Sequence, residues 1–169
     1  MPDPTDVEHG IVPSMIPATK PITQAKINAV VATVRHLCGW HVWPVRKETL
    51  TVDSPGDKFV FLPTKHLLDV HEVKINGETI APDEFQWSAD GMLRLIHPPK
   101  GFRIITVTIT HGYETAPDLA NVCVQMSKRT AEAHTSMQVG GISVGASQGI
   151  TPQSTEWRII DMYKLGPMP

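Results

Sequence analysis

Two cysteines, 6% aromatic residues, no excess of basic side chains and no long apolar run define this 169-residue chain first by what it lacks. Cys38 and Cys123 fall on the apolar sides of two expected helices, so buried free thiols are expected and a disulfide framework is not. Fifteen Lys and Arg stand against seventeen Asp and Glu, a formal charge of −2. Proteins that grip nucleic acid neutralise phosphates with a basic stripe, so tight DNA binding is excluded as a main role. No segment approaches the roughly 20 apolar residues of a membrane helix. No basic-then-apolar leader opens the chain. A soluble protein made in a reducing cytoplasm is the expectation.

Punctuation is abundant, with fifteen prolines and twelve glycines. Pro2, Pro4, Pro13, Pro17 and Pro21 make residues 1–21 an extended or disordered arm. Thr23 is then placed to cap a helix over residues 22–38, where Ile27, Val30, Val31, Val34, Leu37 and Cys38 recur on one helical face. Gly39 closes it. Residues 44–113 read as short strands. Leu50 and Val52 alternate with threonines, and Phe59-Val60-Phe61-Leu62 stops at Pro63. Val73-Lys74-Ile75 runs into Asn76-Gly77, a type I′ hairpin pair. Phe85 and Trp87 share a strand face, and Ala89-Asp90-Gly91 turns the chain into Met92-Leu93-Arg94-Leu95-Ile96. Ile105, Val107 and Ile109 alternate with Thr106, Thr108 and Thr110 in the clearest strand.

Pro117 suits the first position of a second helix over residues 117–134, with Asp118 favourable beside its dipole. Leu119, Val122, Cys123 and Met126 form its buried stripe, and Lys128, Arg129 and Glu132 face solvent. Residues 135–153 are a glycine-rich loop. Within it Val139, Ile142, Val144 and Ile150 suggest a β-arm that pairs with a neighbouring subunit. Residues 154–169 hold a short helix and tail. It is too short to stand alone, since helices below about 12–15 residues are marginal in water. It either folds back on its own domain or docks elsewhere. The fold class is therefore α+β, a helical framework of three helices with a small antiparallel β-sandwich or barrel inserted between the first two.

Reactive constellations are thin. His36, Cys38 and His41 resemble a metal cluster, but zinc needs about four ligands in tetrahedral reach and no matching second pair exists. Core packing for Cys38 and surface positions for the histidines are the expectation. His66, Asp69 and His71 invite an acid–base reading, but lie where polar residues are ordinary, between a strand and a hairpin. The glycines at 140, 141 and 145 lack the Lys-Ser/Thr ending of a phosphate loop and follow a helix. Trp40 and Trp43 have no Arg or Lys stripe beside them for a base-stacking role, and packing accounts for them better. No catalytic residue, metal or cofactor is expected.

Taken in order, several motifs match one family. They are Cys38-Gly39-Trp40-His41-Val42-Trp43-Pro44, Glu48-Thr49-Leu50-Thr51-Val52-Asp53, Leu62-Pro63-Thr64, Phe85-Gln86-Trp87-Ser88 and Asp90-Gly91-Met92-Leu93. Val107-Thr108-Ile109-Thr110-His111-Gly112-Tyr113, Val139-Gly140-Gly141-Ile142-Ser143-Val144 and Asp161-Met162-Tyr163-Lys164-Leu165 complete the series. Over residues 22–165 the chain resembles the head-to-tail adaptor (head–tail connector) proteins of long-tailed bacteriophages, actinobacterial-phage type. The resemblance implies a virion protein of the neck, forming a ring of twelve copies below the portal protein and above a stopper or tail-completion protein. Genomic DNA would pass through its channel without specific binding, and no membrane is involved. It also implies that the C-terminal helix reaches the portal, giving Trp157, Ile160, Met162, Tyr163 and Leu165 a docking role. The long proline-rich N-terminus and the loose Gly145-Ala146-Ser147-Gln148-Gly149 stretch depart from the family pattern. Alternatives are another neck ring, such as a head completion stopper or a tail terminator, or a small metal-dependent or nucleic-acid-processing enzyme using His36, His41, His66 or His71.

Overall fold

The computed structural model describes residues 7–133, 137–139, 142–144 and 151–166. In chain order the elements are α1 (Gln24–Cys38), β1 (Arg46–Pro55), β2 (Phe59–Phe61), β3 (Leu67–Ile75), β4 (Glu78–Thr79) and β5 (Phe85–Trp87). Then come β6 (Met92–Leu95), β7 (Lys100–His111), α2 (Pro117–Glu132), β8 (Met137–Val139), β9 (Ile142–Val144) and α3 (Ser154–Tyr163). This is the expected α+β order, with antiparallel sheets between the first and second helices. The chain forms two compact units. One comprises residues 1–38 and 116–164, the other residues 39–115 with 165–169.

The helical unit is built from apolar stripes. Ile27, Val30, Val31, Val34 and Cys38 are the buried face of α1, at the spacing that puts them on one side of a helix. Thr23 starts this helix through its carbonyl, which accepts from the amides of Lys26 and Ile27. In α2, Leu119, Val122, Cys123 and Met126 are buried, and Pro117 occupies the opening turn where its missing N–H costs nothing. Fully burying side chains of this size contributes about 1.5–3 kcal/mol each. Burial pushes the Cys123 thiol up to about 12, so it stays protonated and unreactive.

The N-terminal arm is irregular, as its prolines dictate, but residues 7–21 are held in place. Ile11 and Ile16 are buried. His9 Nδ1 accepts from the Ile11 amide at 3.1 Å, while its Nε2 lies 2.9 Å from Asn28 Oδ1 on α1. With Nδ1 accepting, Nε2 carries the hydrogen and donates to Asn28. Gln24 donates to both the Ile11 carbonyl and Asn28, and the Thr19 amide donates to Glu132 at the end of α2. The arm expected to be extended or disordered is thus irregular but packed over residues 7–21; residues 1–6 lie outside the described ones.

The β unit is a two-sheet antiparallel sandwich. One sheet runs β1-β7-β3-β4 and the other β2-β6-β5. Their shared core draws Val60, Leu93 and Leu95 from the small sheet and Val70, Val73, Ile105, Val107 and Ile109 from the large one. β7 is the central plank, pairing with β1 from Arg46↔His111 to Pro55↔Lys100 and with β3 on its other side. Register shifts where β7 passes Val52 and Ser54 of β1, and along β3, mark bulges that bend the large sheet. The Asn76-Gly77 turn has φ of 52° and 88°, the left-handed pair a type I′ hairpin requires. Strand β3 begins at Leu67, so Asp69 and His71 belong to a strand and not to the loop expected for them. Bulges between Leu67 and Asp69 and between Val70 and Glu72 break its alternation, which hid it from a period-2 reading.

Gly91 has φ +82°, and a Cβ there would collide with the carbonyl oxygen of Thr64. Gly91→Ala is therefore expected to cost about 2 kcal/mol or more through strain and overlap, read as a lower urea midpoint.

Candidate functional site

Reactive groups fail to converge. His36 is exposed on α1 and Cys38 is fully buried in the helical unit. His41 belongs to the β unit, where its Nε2 lies 2.6 Å from the Pro44 carbonyl oxygen. It is buried, correcting the expectation of a surface histidine. His66 stacks flat on Tyr113 with ring centroids 4.4 Å apart. His71 instead lies 2.7 Å from the Thr110 hydroxyl and 3.3 Å from Asp69. Among the described residues no group of three His, Cys, Asp or Glu side chains is arranged to hold a metal ion. Trp40 and Trp43 are buried.

One buried polar cluster is brought together from three separate sequence motifs, a convergence their spacing does not show. His111 ends β7 at 1% exposure, 6.2 Å from Trp40 and 6.0 Å from His41 between ring centroids. Glu48 on β1 brings Oε1 within 2.6 Å of His111 Nε2, yet off the N–H axis, so the ring has a nearby carboxylate without a well-aligned hydrogen bond. Burial lowers the His111 pKa below the usual 6.5, outweighing the opposing pull of Glu48. The unfolded chain then takes up this proton before the folded one does, so stability is complete above about pH 6.5 and is lost as pH falls below it. Acidification from about pH 7.5 to about pH 5.5 should lower the unfolding midpoint of the wild type more than that of His111→Gln. Equal slopes in the two proteins would remove His111 as the source.

The C-terminal helix folds onto its own unit. Ile160 is 0% exposed, and Cys38 Sγ reaches its carbonyl at 3.9 Å. Glu156 is 6% exposed and takes both Arg129 nitrogens at 2.7 Å, a bidentate clamp between α3 and α2. The second Glu156 oxygen also accepts the Gln153 amide, tying off the helix start. Tyr163 donates to Asp118 Oδ1 at 2.6 Å. Arg129, expected to be solvated, is thus a structural ion-pair partner. Of the five residues assigned to docking, Ile160 is fully buried in the unit's core and Tyr163 is partly buried. Trp157 is partly exposed and Met162 is 60% exposed. Leu165 packs against Gly39 within the other unit. Because Arg129→Ala would strand a buried carboxylate, it should destabilise the protein by about 3 kcal/mol, measurable by denaturant unfolding.

The expected β-arm is a hairpin. β8 pairs antiparallel with β9, Val139 opposite Ile142 and Met137 opposite Val144. Ile150 lies outside the described residues. In the β unit, strand β1 is an edge of the large sheet and β2 an edge of the small one. Beside them runs a groove of about 1100 Å³ lined by residues including Thr51, Val52, Val60 and Arg103. Its walls carry Phe59, Phe61 and Phe102, all exposed, the last at 86%. The sequence held the signal. Val60 points into the core, so its neighbours Phe59 and Phe61 must point out together.

The family model for head completion proteins matches residues 14–165, and the chain belongs to that family. Comparison with curated proteins finds no match. Among solved structures, the fold is similar to a chain in the neck of a native gene transfer agent particle computed with C12 symmetry. That likeness has 10% identity and a TM-score of 0.60, covering 86% of this chain and 83% of the other. A chain from the neck of an empty particle computed with C6 symmetry has 12% identity and a TM-score of 0.57, covering 86% and 79%. A chain from the virion of the native particle has 12% identity and a TM-score of 0.55, covering 86% and 78%.

Proposed function

We propose that this chain is the head-to-tail adaptor of a phage-like particle, a ring-forming subunit of the neck. Twelve copies would extend the DNA channel between the portal and a stopper or tail-completion protein. The observation that carries the reading is the head completion family match over residues 14–165. The fold's likeness to neck chains in C12 and C6 reconstructions supports it. So does the ordered series of adaptor-like motifs between residues 22 and 165.

Charge fits the task. A protein making six to ten phosphate contacts binds DNA strongly and with steep salt dependence. A conduit works better without that grip, and this chain's −2 charge gives no general attraction to phosphate. The ring would instead be held by surfaces the subunit leaves open. Met162, on the side of α3 opposite buried Ile160, is the portal-facing residue, with the partly exposed Trp157 and Tyr163 at its flanks, while Ile160 holds the helix to its own unit. The β8–β9 hairpin is the inter-subunit arm.

A side-chain-resolution reconstruction of the particle neck should find multiple copies of this chain in one ring next to the portal. A ring seated below a separate adaptor would move the assignment to a head completion stopper. Met162→Asp tests the portal face without disturbing the core. It should leave unfolding within about 0.5 kcal/mol of wild type while reducing the chain found on DNA-filled heads. Normal attachment of that variant would end the α3 docking assignment.

A further inference from the structure

The large sheet leaves one edge of β1 without a partner strand among the described residues. In an antiparallel pair every second residue turns its N–H and C=O away from the partner, so an edge strand offers a row of unpaired donors and acceptors. The flanks of β1 are guarded by Arg46, Lys47, Glu48, Asp53 and Pro55, the residue types that discourage pairing. Residues 49–52, Thr-Leu-Thr-Val, carry neither charge nor proline. The groove with Phe59, Phe61 and Phe102 begins at that unguarded stretch, since Thr51 and Val52 line it. Backbone valences and apolar surface therefore lie side by side, the combination that receives an added strand.

The chain also carries a segment suited to that seat. Residues 133–155 contain no Asp, Glu, Lys or Arg, the longest such run in a chain that is 19% charged. Within it, among the described residues, β8 and β9 pair with each other alone, so each strand of this two-stranded sheet has one edge without a partner strand there. The groove's own charges are two acids and two bases, Asp53, Asp57, Lys100 and Arg103. A charged occupant would lose hydration there without a net opposite charge in return, whereas a neutral strand has no charge to desolvate and its backbone groups are paired by the edge. From Glu132 to Met137 the chain spans at most about 17 Å, so the hairpin serves a partner seated directly against its own subunit.

We propose that the open edge of β1 at residues 49–52, with the groove walled by Phe59, Phe61 and Phe102, seats the β8–β9 hairpin of a second copy of this chain. The inference rests on the ring reading and names the surface that receives its arm. Thr51, on the edge, and Ser143, in β9, are the positions to join. A chain carrying Thr51→Cys and Ser143→Cys, incorporated into particles and mildly oxidised, should run as a ladder of dimers and higher multimers on a non-reducing gel. The native thiols Cys38 and Cys123 are buried and form no ladder in the unsubstituted chain.

Adding Phe102→Asp, at a side chain that is 86% exposed, should leave the fold intact and cut the ladder by about tenfold, as loss of one interface anchor does. Several copies per neck that remain monomeric on the gel would overturn this seat and leave the ring standing. Cysteines joined to a different neck protein would overturn it in the same way. A single copy per particle would overturn the ring and the seat together. An undiminished ladder with Phe102→Asp would remove the groove from the proposal and overturn it as stated.

Discussion

Antiparallel pairing of β1 with β7 is the constraint on which this architecture depends. The register begins at Arg46↔His111, so the strand that opens the β unit and the strand that closes it meet at the same end of one sheet. The insert therefore takes the chain out after Cys38 and returns it at Ala116, where the helical unit resumes. A shift of one residue would turn Ile105, Val107 and Ile109 outward and remove the centre of the sandwich core. The buried end of that pairing also explains the cluster of Glu48, His111, His41 and Trp40. Polar groups at the closing seam fix alignment more sharply than methyl groups can, and the sensitivity to acid is the cost of placing a histidine there.

Much of this was legible from the residues. The stripes on α1 and α2, the proline that starts α2, the Asn76-Gly77 turn and the alternation in β7 each encode local structure through spacing or backbone preference. Long-range satisfaction was not legible. Arg129 looks solvated on its own helix, and only folding brings Glu156 from 27 residues away. His41 and His111 are separated by 70 positions, so no local pattern marks them as neighbours. The packing of the N-terminal arm was hidden for a related reason. Prolines forbid helix, but they do not forbid packing, and Ile11 and Ile16 anchor a segment with no periodicity. Strand β3 was half seen because its bulges at Leu68 and His71 erase the alternation that announces a strand.

The short C-terminal helix serves its own fold first, and in the proposed reading it docks as well. Ten residues cannot hold helical form in water unaided. Ile160 in the core, the Arg129 clamp on Glu156 and the Tyr163 hydroxyl on Asp118 supply what the helix lacks. These anchors all use one side. What remains outward includes Met162, opposite Ile160, beside the charged side chains of Arg158 and Asp161, on a surface already in helical form. A preordered docking face avoids the entropy of folding on contact, which a disordered tail would have to offset from the same interface.

A subunit that must stay single until it meets its neighbours faces opposing demands on its edges. An edge that is fully guarded cannot join a ring, and one that is fully open pairs indiscriminately with any strand in the cell. β1 sits between these limits, with charges and a proline at its two ends and four unguarded residues in its middle. Four residues offer few outward backbone pairs, too few to hold an arbitrary strand against the entropy of association. An occupant must therefore also fill the phenylalanine-walled groove alongside, and must do so without bringing a charge into it. Selectivity then comes from requiring both features in the same partner, and each contact can be individually weak. In a closed ring every such contact is made once per subunit, so modest affinities combine once the neighbours are held in place.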